Sequence, residues 1–394
     1  MSREQLRSPE SVQESTLDGI VGRSAPLRAA FRQARPAIGL YLLCQVLAFG
    51  VLWLMSWTAD VSPGQFVDNF DANWFLSVAQ NGYHQQVTVG ADGIPGQNSL
   101  VFFPLYPALV ALLTVVGIPA LAAGLVVSLL AGCAAAWGLY VLGRDFAGPR
   151  VGLLVAVLWS IGPGATALHL AYSEAVLMAL VAWTLVAVSR RQWLLAGALA
   201  GLAGLTRASA GALIAAVGIA ALVAIFHRLD GWRPWVGALL APLGLLSHLG
   251  FVWIRTGRPD GWFWLQNAWQ MHFDFGVFTW TKVREGLTEG QASWLTLTAL
   301  VVISALVLQI WTWVTRLPLP WQIYGTLTVV IALCSSNYFQ SRARFLLPAF
   351  VLTVPVALLL AKLPNRALAV LLPAIALGSG WYGAFMLTTG QVAP

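Results

Sequence analysis

The chain has 394 residues, of which 58% are hydrophobic and only 9% charged, with a mean hydropathy of +0.75 and a formal net charge of +7. Such a composition cannot clothe a soluble domain in a polar surface, and the apolar runs are helix-length rather than ten-residue alternating segments, which excludes an outer-membrane barrel. The fold class expected is therefore an all-α polytopic membrane protein.

Residues 1–36 hold Arg3, Arg7, Arg23, Arg28, Arg32 and Arg35 and no apolar stretch, and read as a disordered basic tail on the cytoplasmic side. The first apolar run, about 37–57, is long enough to span and reads as a retained anchor, because the apolar core of a signal peptide would lie nearer the start. A first large outer loop, 58–118, follows. Its polar island DNFDANWFLSVAQNGYH, 68–84, places Asp71 at the start of a short helix that Gly82 is suited to end. In a chain with so few charges this is where chemistry is expected. The next motif, FFPLYP at 102–107, opens an apolar stretch whose helix, 104–116, would be only about 20 Å long against a hydrocarbon core of about 30 Å. It reads as an interfacial helix.

Further spans are expected at 119–142, 151–170, 174–188, 193–206, 209–226, 235–254, 293–315, 320–334, 345–361 and 367–387, which makes about eleven transmembrane helices. With the tail inside, the cytoplasmic loops collect Arg144, Arg150, Arg190, Arg191, Arg228, Arg233, Arg316, Lys362 and Arg366, and with the tail they hold 15 of the 22 lysines and arginines. Treating 104–116 as a span would put those clusters outside, so the charge distribution favours the interfacial reading. Seven cations remain on the outer side: Arg207, Arg255, Arg258, Lys282, Arg284, Arg342 and Arg344. Basic groups that violate the topological bias are placed to meet an anionic headgroup or phosphate.

A second outer loop, 255–292, carries WFWLQNAWQMHFDFGVFTW at 262–280, aromatics that suit an interfacial belt or sugar stacking; the two loops together would roof a cavity at the membrane surface. Gly197, Gly201 and Gly204 in LLAGALAGLAGL form a close-packing face, and no Walker or dinucleotide motif is present. Cys44, Cys133 and Cys334 each sit within an apolar run, which points to packing rather than to a disulfide or a metal site.

The succession FDANWFLSVAQNGYH, FFPLYP, AYSEAVLMAL at 171–180, LLAGALAGLAGLTRASAGAL at 194–213 and SRARFLLPAF at 341–350 resembles the PIG-V mannosyltransferases, a branch of the GT-C glycosyltransferases. The resemblance covers most of the chain from about residue 37, so that 37–394 would form one GT-C transmembrane domain. It implies an enzyme that takes a hexose, commonly mannose, from a polyprenyl-phosphate carrier and inverts the anomeric centre on transfer to a hydroxyl of a lipid or glycan. The family's Trp-Asp-Ala aspartate corresponds to Asp71, preceded here by Phe70 rather than tryptophan. The exchange weakens the sugar assignment more than the reaction class.

Glycosyl phosphates already have a good leaving group, so the reaction asks for a carboxylate to accept the acceptor's proton and for cations to hold the departing phosphate. Asp71 is the expected base, with helix N-capping as its structural alternative. Asp68 is the rival carboxylate or a supporting partner. Arg207 follows a short span, where an unpaired cation costs about 2.5–3.5 kcal/mol, so it is expected to meet the carrier phosphate or Glu174. Arg342 and Arg344, just outside a span, suit a phosphate-gripping fork or ordinary snorkelling. Glu174, after Tyr172 and Ser173, would orient the acceptor, pair with a cation or simply favour a helix N-terminus. Tyr172 and His84 complete the expected substrate-binding set, and His169 is a weaker candidate. No cofactor or metal is expected, the lipid-linked sugar donor being the substrate. The expected partners are that donor, the acceptor and membrane lipids, with no nucleic acid, at a plasma-membrane site facing outward. The rival class is a polyprenyl-phosphate sugar or lipid transporter or scramblase, whose signature of internal repeats is not seen.

Overall fold

A computed structural model describes residues 27–58, 70–289 and 293–388. The described residues are helical, joined by turns and by two isolated β-bridges, Val89 with Pro95 and Phe273 with Ser335. Six helices are long and apolar enough to cross a membrane, and a bent pair, Phe339–Leu346 with Phe350–Leu360, adds a seventh candidate. The protein is an integral membrane protein.

Helix α1 (Leu27–Thr58) contains the first predicted span and runs back into the basic tail; residues 1–26 and Asp68 lie outside the described residues. In the first large loop, α2 (Asp71–Asn81) is followed by α3 (Leu105–Val115), the short helix expected to lie in the interface. The centre of the molecule is α4 (Ala120–Ala147), α5 (Pro149–Ser160) and α6 (Glu174–Ser189). Gly148, at φ 95°, ends α4, and Pro149 starts α5, the arrangement that a glycine's access to positive φ and a ring-fixed φ favour. The α4–α5 pair then packs backbone to backbone, since a Cβ on Gly143 would lie 2.8 Å from the Gly152 Cα.

Helices α7 (Trp193–Gly204), α8 (Gly211–Phe226), α9 (Arg233–Leu240) and α10 (Leu243–Thr256) follow. The glycine row of α7 does pack closely: a Cβ on Gly197 would meet the Gly237 carbonyl at 2.4 Å, and one on Gly204 the Leu245 nitrogen at 2.6 Å. The second large loop forms α11 (Gly261–Gln266) and α12 (Val277–Thr288), and the chain closes with α13 (Ser293–Val314), α14 (Leu319–Leu333), α15 (Arg342–Leu346), α16 (Thr353–Leu360) and α17 (Asn365–Thr388).

Two predicted spans take a different form. The run 151–170 is α-helical only to Ser160, because Gly162, Pro163 and Gly164 turn the chain into a 3-10 segment, Ala165–His169. The run 345–361 bends by 78° at a break holding Pro348. Its first limb already includes Arg342 and Arg344, which therefore sit within a broken helix instead of just outside a straight one. Three other predicted spans, now α6, α7 and α14, are helices of 12 to 16 residues, shorter than the candidate spans.

Candidate functional site

Asp71 is the first residue of α2, one position after Phe70, whose φ of 55° is costly for a bulky side chain. The capping alternative fails, since Phe70 occupies the cap position and no side-chain capping bond is made. The Asp71 carboxylate instead accepts a hydrogen bond from Arg344 Nη1 at 2.8 Å, across 273 residues of sequence. Gly82 ends α2 at φ 75° and donates its N–H to the Val78 carbonyl, as the sequence leads one to expect.

The Arg344 guanidinium is only 5% exposed and faces two carboxylates, Asp71 and, from Nε at 3.6 Å, Glu174 Oε1. That same Glu174 oxygen accepts from Arg207 Nη1 at 2.5 Å, while Arg207 also reaches the Ser173 hydroxyl at 3.5 Å. The result is a row of alternating charge, Asp71, Arg344, Glu174 and Arg207, with no net charge. Its ends differ from its middle: Asp71 and Arg207 keep 29% and 22% side-chain exposure, whereas Glu174 keeps 2%. Isolated burial of either inner ion would be prohibitive, and each is held because opposite charge flanks it. Tyr172 lies beneath this row, fully buried, with the Arg344 guanidinium 5.0 Å from its ring centroid. The Tyr172 hydroxyl and Glu174 Oε2 are buried without a hydrogen-bond partner, polar capacity that a bound molecule or water would use.

Neighbouring elements set this geometry. The Ser128 hydroxyl of α4 points at the carbonyls of Leu170 and Tyr172, at 3.1 and 3.2 Å, and fixes the bend that leads into Glu174. Tyr106 touches Ser128 at 3.1 Å while donating to the Gly124 carbonyl. The FFPLYP motif also positions Arg207, because the Leu105 N–H donates to the Leu205 carbonyl two residues before it. On the other side, the chain carrying Arg344 presses directly on Gly164, where a Cβ would lie 2.2 Å from the Ala343 carbonyl oxygen.

Five of the eight predicted site residues thus converge: Asp71, Tyr172, Glu174, Arg207 and Arg344. Arg342 does not join them as the second tine of a fork. It is buried, bonds to the Ser335 hydroxyl at 2.9 Å and to the Ser335 carbonyl, and lies over the Phe345 ring. Two residues along a helix turn by about 200°, so adjacent-looking arginines face opposite ways. His84 is exposed and serves the loop: its N–H donates to the Ser99 hydroxyl, its Nδ1 accepts from the Ser99 N–H, and its ring meets the edge of Trp74. His169 lies away from the row in a small cavity lined also by Cys44, Ser160, Thr166 and Ser379.

Sequence reasoning missed Gly164, Ser128 and Tyr338. Tyr338 follows Asn337, and both adopt left-handed φ values, 57° and 47°. Burial, with the Asp71 carboxylate next in effect, pushes the Tyr338 phenol up despite the opposing Arg344 charge. The only signal for it in the sequence was an Asn-Tyr pair before the SRARF motif. The two large loops do meet, as the roofing idea requires: Trp269 packs edge-on against Trp74 and Phe102, and Trp262 Nε1 donates to the Val101 carbonyl.

No protein-family model and no curated protein matches the sequence. Solved structures resemble the fold, two of them being ArnT structures. One is ArnT from Cupriavidus metallidurans bound to undecaprenyl phosphate, with a TM-score of 0.52 at 16% identity over 90% of this chain and 78% of that one. The other is the same organism's ArnT in the apo state, with a TM-score of 0.50 at 15% identity over 84% of this chain and 61% of that one. At such identity the likeness is one of fold, an all-helical membrane fold shared with the ArnT structures.

Proposed function

We propose that this protein is a membrane glycosyltransferase that moves a sugar from a polyprenyl-phosphate donor to a hydroxyl of a lipid or glycan acceptor, with inversion at the anomeric carbon. The observation that carries the reading is the half-open carboxylate of Asp71, held by Arg344 at the end of the charge row in a fold shared with the ArnT structures. The donor class is supported by the ArnT structure, whose ligand is undecaprenyl phosphate. Mannose as the sugar rests on the PIG-V resemblance, and the outward-facing site rests on the loop charges.

In this reading the acceptor hydroxyl attacks the anomeric carbon while Asp71 takes its proton, and the polyprenyl phosphate leaves from the opposite face. One carboxylate suffices, because phosphate departs without protonation, unlike the leaving groups of glycoside hydrolysis. Arg344 fixes the orientation of Asp71. Arg207, the more exposed guanidinium of the row, is the group to meet the departing phosphate, and Glu174 holds both arginines in place. Tyr172 forms the floor beneath them.

The test is transfer of radiolabelled sugar from polyprenyl-phosphate mannose to a total lipid extract by the purified protein and by Asp71→Asn. Loss of a base costs about 10²–10⁴-fold in rate. The expected result is a labelled glycolipid with the native protein, a loss of that order in the variant, and donor binding retained. Equal turnover by both would remove Asp71 as the base. No product from either, together with movement of labelled carrier across reconstituted vesicles, would replace the enzyme with a transporter.

A further inference from the structure

The second large loop contains a residue that is unfavourable twice over. Phe275 has a φ of 58°, a left-handed value that a phenylalanine rarely adopts, and its side chain is 83% exposed. Its neighbour Phe273 is 54% exposed, and the two rings meet edge to face at 4.9 Å. The turn is built to hold this arrangement. Asp274 accepts from the N–H groups of Gly276 and Phe278 at 2.9 and 2.8 Å, and its own N–H donates to the Cys334 carbonyl. Phe273 bridges to Ser335, and His272 and Ser336 bond to one another. Strain and apolar exposure fixed together at one rigid turn indicate that the rings have a surface to enter.

The helix that follows repeats the pattern. On α12 the buried residues Thr279, Val283 and Gly286 form one face, while Val277, Trp280 and Leu287 are exposed along the other with the exposed Arg284 in their midst. Spacings of three and seven put those apolar side chains on one stripe, and an arginine within it has the length to snorkel. The helix thus exposes an apolar stripe on the side away from its packed face, which matches a helix lying in a membrane interface.

We propose that the Phe273–Gly276 turn and α12 form an interfacial anchor, with Phe273, Phe275, Val277, Trp280 and Leu287 inserted in the hydrocarbon of the leaflet on the site's side. The anchor is tied to residues 334–336, a few residues before Tyr338 and Arg344, so it sets the level of the charge row relative to the lipid surface. The inference rests on the membrane embedding of the chain and is independent of the transfer reaction.

The experiment places spin labels at Phe275→Cys and, separately, at Trp280→Cys in the full chain lacking its three native cysteines. The protein is reconstituted in phosphatidylcholine–phosphatidylglycerol vesicles. Leu130→Cys on α4 serves as the lipid-exposed control and Arg258→Cys as the aqueous one. The expected result is an oxygen-to-nickel-chelate accessibility ratio at 275 and 280 close to that at 130 and several-fold above that at 258. Ratios equal to that at 258 would overturn the proposal. A rise only after undecaprenyl phosphate is added would also overturn it, because the occupant would then be a polyprenyl chain and not the leaflet. If Trp280→Cys proves unstable, Leu287→Cys reads the same stripe.

Discussion

The two ends of α4 carry the same kinds of charged side chain in opposite settings. Near Gly124 and Ser128, at one end, lies the row of Asp71, Arg344, Glu174 and Arg207, whose inner ions are almost wholly buried. About 30 Å along the helix, Arg144 pairs with Asp145, which Arg190 also approaches at 3.7 Å, and each of these groups keeps at least 20% of its side chain in contact with solvent. A second, partly exposed pair, Arg191 with Asp230, is joined by the indole N–H of Trp193. Exposed pairs contribute little because water competes for both partners, whereas a buried pair is bound to its geometry: removing one ion leaves the other stranded. The same residue types therefore form water-screened pairs at one end of the molecule and a fixed electrostatic row at the other.

The sharpest way to break this contrast is Arg344→Ala. Two carboxylates would lose the cation between them, with a cost of about 3–5 kcal/mol in stability and, on the proposed function, loss of sugar transfer. Thermal unfolding in detergent and the transfer assay check the two effects. Near-native stability would mean that Asp71 and Glu174 find other partners and that the row is not a unit.

Next in size is Gly164→Ala. Its Cβ would collide with the backbone at Ala343 and Arg344, which cannot withdraw as a flexible side chain would. Overpacking of this kind costs about 1–3 kcal/mol. The more telling readout is transfer, which is expected to fall further than stability because the collision displaces Arg344 relative to Asp71. Gly162→Ala, whose nearest neighbours are ordinary contacts at 3.5 Å or more, is the control that should leave both unchanged.

Gly164 also illustrates what the sequence could not convey. The helix beginning at Asp71, its stop at Gly82, the close-packing glycines of α7 and the Arg207–Glu174 partnership were legible, because each follows from neighbours in sequence or from the cost of a lone cation in lipid. The division of labour between Arg342 and Arg344 was not legible. It depends on Asp71 lying 273 residues away and on Ser335 being on the opposite side, facts that only the packed bundle supplies. The bend at Pro348 did carry a local signal, but the apolar run around it reads as one continuous span. Similarly, Gly162, Pro163 and Gly164 announce a turn, while nothing in them announces that a second chain must approach so closely.

Ser128→Ala tests a smaller contribution on the site side of the comparison. The hydroxyl steadies the carbonyls of Leu170 and Tyr172, so its loss should cost about 1 kcal/mol and lower transfer modestly through a looser Glu174. Ser128→Thr retains the oxygen but adds a methyl group in a buried site, so recovery of transfer there would assign the effect to the hydrogen bond. No change in Ser128→Ala would shift the positioning of this bend to Tyr106 and the packing of Gly124 against Ala171.

The smallest expected effect belongs to the far end. Arg144→Ala removes an arginine that contacts Asp145 and, through Nη1, the Gln33 side chain at 2.8 Å. Asp145 is exposed and has Arg190 within reach, so its charge is solvated or re-paired after the substitution. The stability change should lie within about 1 kcal/mol, with sugar transfer unaffected. The packing of Arg144 over Tyr140 adds a contact but no buried charge that the variant would strand. A loss comparable to that of Arg344→Ala would show that burial does not separate the two ends of α4, and the electrostatic distinction between them would have to be replaced by one based on helix packing.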